Sequence, residues 1–107
     1  VTTAAVKVHT ASGAVHIAIA GEIDLANAAV VEEEIFAAVD NSATRVTIDL
    51  TDLLYVDSSG LRILFELANR LQTLQTAMVV IAPPGSPSRR VVEISGLGSF
   101  VELRSQS

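Results

Sequence analysis

The 107-residue chain contains no cysteine, which excludes disulfides and thiolate metal sites and fits a reducing, cytoplasmic setting. Lys7 is the sole lysine, and no glycine-rich loop ends in Lys-Ser or Lys-Thr, so a phosphate-cradling nucleotide loop is absent. The same scarcity argues against an aspartate phospho-acceptor domain, which combines clustered acids with a late lysine. No apolar run approaches the roughly 18 residues of a membrane span, and Val15 to Ala20 is too short a block for a secretory leader. The two histidines, His9 and His16, both fall early in the chain, and no Gly-x-Ser-x-Gly elbow occurs. Four aromatic residues and a net charge of −5 disfavour direct nucleic-acid binding. These absences leave no catalytic residue, metal site or cofactor to assign.

What is present describes one globular domain over residues 1–107, half apolar and 18% charged. Charge is unevenly spread. Residues 22–57 carry nine carboxylates against Arg45 alone, while residues 58–107 are slightly basic. A protein partner with a basic patch suits the acidic half.

Thr2 to Thr10 reads as a first strand and Ala14 to Ala20 as a second, with Val15, Ile17 and Ile19 on one face. The short link Ala11-Ser12-Gly13 predicts an antiparallel hairpin. Gly21-Glu22-Ile23-Asp24 is expected to break the strand, with Asp24 capping a helix over Leu25 to Asp40. Arg45 to Leu50 is a strand. Ser58 to Leu74 is a helix whose stripe is Leu61, Leu64, Phe65, Ala68, Leu71 and Leu74. Thr76 to Ala82 is a continuous apolar run, as in a parallel strand covered on both faces. Ser86-Pro87 starts a third helix, Gly96 stops it, and Phe100 to Leu103 closes the chain as a short strand. The order β-β-α-β-α-β-α-β defines an α/β domain with a mostly parallel sheet, an antiparallel first strand and helices packed on the sheet.

Asp57-Ser58-Ser59-Gly60 stands where a strand-like segment meets the most periodic helix. Its acid and two hydroxyls suit an N-cap and first turn, and the positive end of a helix also suits a phosphate. Capping alone accounts for the residue types. Asp24, Asp49, Asp52 and Asp57 fall on different elements, so they read as solvated carboxylates, not as a divalent-ion site.

The stretch from Asp49 to Leu61, with Asp57-Ser58-Ser59-Gly60 near its end, resembles the signature of STAS domains, specifically the bacterial anti-sigma factor antagonists. Gly21-Glu22-Ile23-Asp24 is similar to that family's Gly-Glu-Leu-Asp turn. Val79-Val80-Ile81, Pro84, Ser88 and Ile94-Ser95-Gly96-Leu97 are similar to its last strand, loop and helix. The resemblance implies that a partner anti-sigma factor, itself a serine kinase, phosphorylates Ser58, and that a serine phosphatase reverses the step. Asp24 and Asp57 would flank the phosphosite on neighbouring loops, and Ser59 and Gly60 would complete the helix start. The unmodified domain would bind the anti-sigma factor and free its sigma factor in a stress response, with no enzymatic activity of its own. Two alternatives share the fold: a constitutive adaptor subunit of a transporter or signalling complex, and a nucleotide-binding STAS domain. Two departures stand out. Arg62 occupies a position where antagonists commonly have glycine, which bears on partner choice, and Leu74-Gln75-Thr76 replaces the usual Gly-Gly before the next strand.

Overall fold

The computed structural model describes residues 3–106. Val1, Thr2 and Ser107, and with them the first residue of the expected opening strand, lie outside the described residues. Strands β1 (Ala4–Ala11) and β2 (Ala14–Ile23) form the expected antiparallel hairpin, closed by Ala11 opposite Ala14. Ser12 and Gly13 turn the chain with φ of 52° and 83°, the left-handed pair that a two-residue hairpin loop requires.

β2 does not break at Gly21; it runs on to Ile23 and changes partner. Its first part pairs in parallel with β3 (Arg45–Asp49), and from Gly21 on it pairs in parallel with β4 (Leu53–Val56), with a register shift between Gly21 and Glu22. Gly21 makes this possible. Its φ is +99°, and a Cβ there would lie 2.5 Å from the Thr3 carbonyl oxygen.

β4 is the one strand the sequence pattern does not reveal. It has four residues, with Leu53 and Val56 buried but Leu54 and Tyr55 exposed, so no period-2 alternation marks it. The full order is therefore β-β-α-β-β-α-β-α-β, with a 3-10 turn (Leu97–Ser99) before the final strand.

Helix α1 spans Ala28–Ala38, shorter than expected, and buries Ala28, Val31 and Ile35. Helix α2 (Ser58–Thr73) buries Ile63, Leu64, Leu67, Ala68 and Leu71. Its buried stripe is rotated from the expected one. Ile63 and Leu67 take its centre, Leu61 and Phe65 flank it half-buried, and Leu74 is exposed. Strand β5 (Ala77–Ile81) is buried from Met78 to Ile81, as its apolar run predicts. Helix α3 (Pro87–Ser95) starts at the Ser86 cap, whose hydroxyl accepts from the Arg89 N–H at 3.2 Å, and stops at Gly96 with φ +85°. The last strand, β6 (Glu102–Arg104), lies slightly later than expected, because Phe100 instead packs edge-on against Phe65 with ring centroids 6.1 Å apart.

The sheet order is β1-β2-β3-β5-β6, with β4 an added partner of β2. From β2 to β6 the parallel strands step one way across the sheet. Right-handed crossovers then place all three helices on the same face, and side chains of all three join a single core with Ile17, Ile48 and Val80. The loops at the C-terminal ends of β2 and β4 thus meet the start of α2.

Candidate functional site

Asp57 follows β4 directly and caps α2. Its backbone is extended, and its Oδ1 accepts from the Ser59 N–H at 2.8 Å and the Gly60 N–H at 3.4 Å. Its own N–H donates to the Ile23 carbonyl at 3.2 Å, which fixes the start of α2 to the end of β2. Ser58 is the first residue of the helix, exposed and outside the cap bonding, while Ser59 is half-buried.

Gly60 is buried for a steric reason. A Cβ at this position would lie 2.4 Å from Val56 Cγ2 and 3.1 Å from Ile23 Cγ2. The glycine lets the helix sit directly on the ends of β2 and β4.

Asp24 directly follows Ile23, so the tie between Asp57 and Ile23 brings the two acidic loops together. Asp24 is not the cap of α1, in contrast to the sequence expectation. That position belongs to Asn27, and α1 begins one residue later. Asp24 instead forms an Asx turn: its Oδ1 accepts from the Ala26 N–H at 2.8 Å, and its N–H donates to Asn27 Oδ1 at 3.0 Å. Asn27 Nδ2 in turn donates to the Glu22 carbonyl at 2.8 Å. The loop is rigidly bonded, and its shape delays the helix.

Arg62 lies one turn after Ser58, well exposed, with Nε 3.6 Å from Glu66 Oε1. Of the remaining acids, Asp49 on β3 belongs to a different construction. Burial raises its pKa, but the Thr51 hydroxyl and N–H, with His16 Nε2 at 3.5 Å, outweigh that and leave it below the ordinary value. Among the described residues no group of three or more histidine, aspartate or glutamate side chains is placed to hold a metal ion. No helix among them is long and apolar enough to cross a membrane.

Four exposed apolar side chains that no sequence pattern singles out lie on the elements around the site. Leu25 (81% exposed) follows Asp24, Leu54 (67%) and Tyr55 lie on β4 just before Ser58, and Ile94 (75%) lies on α3, which packs against β4. The signal was there in part: Leu25 precedes the buried positions of α1, and Leu54 and Tyr55 break alternation. Ser88, a motif position in the sequence, also has a structural role. Its buried hydroxyl donates to the Leu50 carbonyl at 3.3 Å, tying α3 to the loop between β3 and β4.

A parallel sheet with one helical face, an antiparallel lead hairpin and an Asp-Ser-Ser-Gly helix start define the class, and residues 5–107 match the STAS domain. The chain belongs to the STAS domain family. Its relatives include the anti-sigma-F factor antagonist RsfB of Mycobacterium tuberculosis, 33% identical over 92 residues, which are 86% of this chain and 74% of that protein. Among solved structures, an anti-sigma factor antagonist from Mycobacterium paratuberculosis superposes with a TM-score of 0.81 at 27% identity, covering 95% of this chain and 86% of the other. The unphosphorylated form of the anti-sigma factor antagonist SpoIIAA shares the fold, with a TM-score of 0.75 at 22% identity over 92% of this chain and 87% of its own.

Proposed function

We propose that this domain is an anti-sigma factor antagonist switched by phosphorylation of Ser58. Unmodified, it binds an anti-sigma factor that is also a serine kinase, and so releases the sigma factor. The kinase transfers the γ-phosphoryl group of ATP to Ser58 Oγ: the new P–O bond forms as the bond to ADP breaks, and the hydroxyl proton leaves to a base of the kinase. A serine phosphatase returns the hydroxyl by hydrolysis.

The observation that carries this reading is the division of labour at the start of α2. Asp57 holds the cap and Gly60 holds the packing, while Ser58 stands exposed between them. A group can be added to Ser58 without breaking a cap bond or a core contact. The surroundings suit a protein partner: exposed Leu25, Leu54, Tyr55 and Ile94 supply apolar area, and Glu22, Asp24 and Asp57 favour a basic rim on the partner.

Phosphorylation adds about −1.5 to −2 charge to a surface already acidic. A partner surface fitted to the neutral hydroxyl then meets a hydrated dianion, at a cost of several kcal/mol, on the order of a hundredfold or more in affinity. The switch therefore works by blocking a surface and not by refolding the domain. Incubation with candidate kinase anti-sigma factors and ATP, followed by mass spectrometry, tests the assignment. Phosphate on Ser58 is expected; phosphate confined to Ser59, or none with any candidate, rejects it.

A further inference from the structure

We propose that Arg62 is the receiver for the phosphoryl group on Ser58: it gives up Glu66 and pairs with the phosphate once the site is modified. This rests on Ser58 being the phosphoacceptor. Of the first-turn N–H groups, those of Ser59 and Gly60 already donate to Asp57 Oδ1 and that of Leu61 to the Asp57 carbonyl at 3.0 Å, which leaves only the N–H of Ser58 itself to meet a phosphate. The positive end of the helix is therefore largely answered by Asp57, and a dianion on Ser58 needs a counter-charge from a side chain. Within four residues of Ser58 in either direction, Arg62 is the one basic residue.

Spacing and direction favour the pairing. Ser58 and Arg62 are i and i+4 on α2, so they share a face, with Cβ atoms about 6 Å apart. Long side chains on a helix lean toward its N-terminus, which carries the Arg62 stem toward Ser58. The present partner is weakly held. Arg62 Nε and Glu66 Oε1 are 3.6 Å apart, beyond hydrogen-bond distance, with both side chains largely in solvent. A phosphoserine offers nearly twice the charge of a carboxylate and three acceptor oxygens matched to the guanidinium fork. Arg62 is thus a two-position side chain, bound to Glu66 in the unmodified protein and to the phosphate in the modified one. Arg62 offsets about one of the phosphate's roughly two negative charges, so the modified site stays net anionic toward a partner while the helix start is held.

The test installs phosphoserine at position 58 during translation, so no kinase is needed, in the otherwise wild-type protein and in Arg62→Ala and Arg62→Lys variants. Phosphorus NMR then follows the second ionisation of the phosphate. With Arg62 present its pKa is expected to lie about half a unit or more below that in Arg62→Ala, with Arg62→Lys in between. The thermal midpoint of the phosphorylated form should fall in Arg62→Ala, while that of the unmodified form barely moves. Superimposable phosphate titrations in the wild type and Arg62→Ala overturn the assignment, as does an equal loss of thermal stability with and without the phosphate. A missing kinase reaction, by contrast, would reject the switch and leave this titration intact.

Discussion

Replacing Gly60 by alanine forces a methyl group into space that is already filled. The added carbon would lie 2.4 Å from Val56 Cγ2 and 3.1 Å from Ile23 Cγ2, against an optimum of about 3.5–4.0 Å between carbons. Neither neighbour can yield easily. Val56 and Ile23 are buried at 7% and 2% exposure, and β-branched side chains have few alternative rotamers. Relief requires α2 to lift off the ends of β2 and β4, against the bond from the Asp57 N–H to the Ile23 carbonyl. Overpacking of this kind costs about 1–3 kcal/mol, and the better helix propensity of alanine returns at most about 1 kcal/mol. The net expectation is a loss of roughly 1–2 kcal/mol, seen in urea denaturation and as a fall in thermal midpoint of about 5–10 °C. Combining Gly60→Ala with Val56→Ala should cost less than the sum of the two single changes, because the second substitution removes the clashing methyl. A Gly60→Ala protein as stable as the wild type, or strictly additive behaviour with Val56→Ala, would refute the steric account.

Asp57→Ala removes both cap bonds at the start of α2 and should cost about 1 kcal/mol in urea denaturation, with Asp57→Asn losing much less; equal losses would show that the carboxylate is not acting as a cap. Gln75 closes α2 with φ +58°, in a Schellman turn where the Thr76 N–H donates to the Leu71 carbonyl and the Gln75 N–H to the Gln72 carbonyl. Gln75→Gly should therefore raise stability by about 0.5–1 kcal/mol in thermal melts, and a loss would mean that the Gln75 side chain makes contacts that outweigh its backbone strain. The lowered pKa of Asp49 means that the unfolded chain takes up that proton more readily than the folded one. Its contribution to stability is then present above the ordinary carboxylate value of about 3.9 and is lost as pH falls through the lower folded value. Asp49→Asn should flatten the acid limb of a stability-against-pH curve there, and an unchanged limb would remove Asp49 from the account.

How much of this was legible in the sequence depends on whether a residue acts through its own pattern or through a distant neighbour. Val15, Ile17 and Ile19 announce a strand because alternation is a local property, and Ser86-Pro87 and Gly96 announce α3 because caps are local chemistry. β4 is hidden because it needs only two buried residues to attach to β2. Gly21 looks like a strand breaker, yet what it provides is clearance for the Thr3 carbonyl, eighteen residues away in the chain. The same holds at the site. Asp57 as a cap could be read from Asp-Ser-Ser-Gly alone, whereas the reason for Gly60 lies in Val56 and Ile23, which only the folded sheet brings beneath it. The two departures from the family pattern behave differently for a related reason. Gln75 is answered by its own backbone turn and bears on stability alone. Arg62 has no backbone role, stands exposed one turn from Ser58, and can change partner without moving the helix. A substitution of that second kind can alter a switch while leaving the fold untouched, so variation at Arg62 should register in the phosphate titration before it registers in any denaturation curve of the unmodified protein.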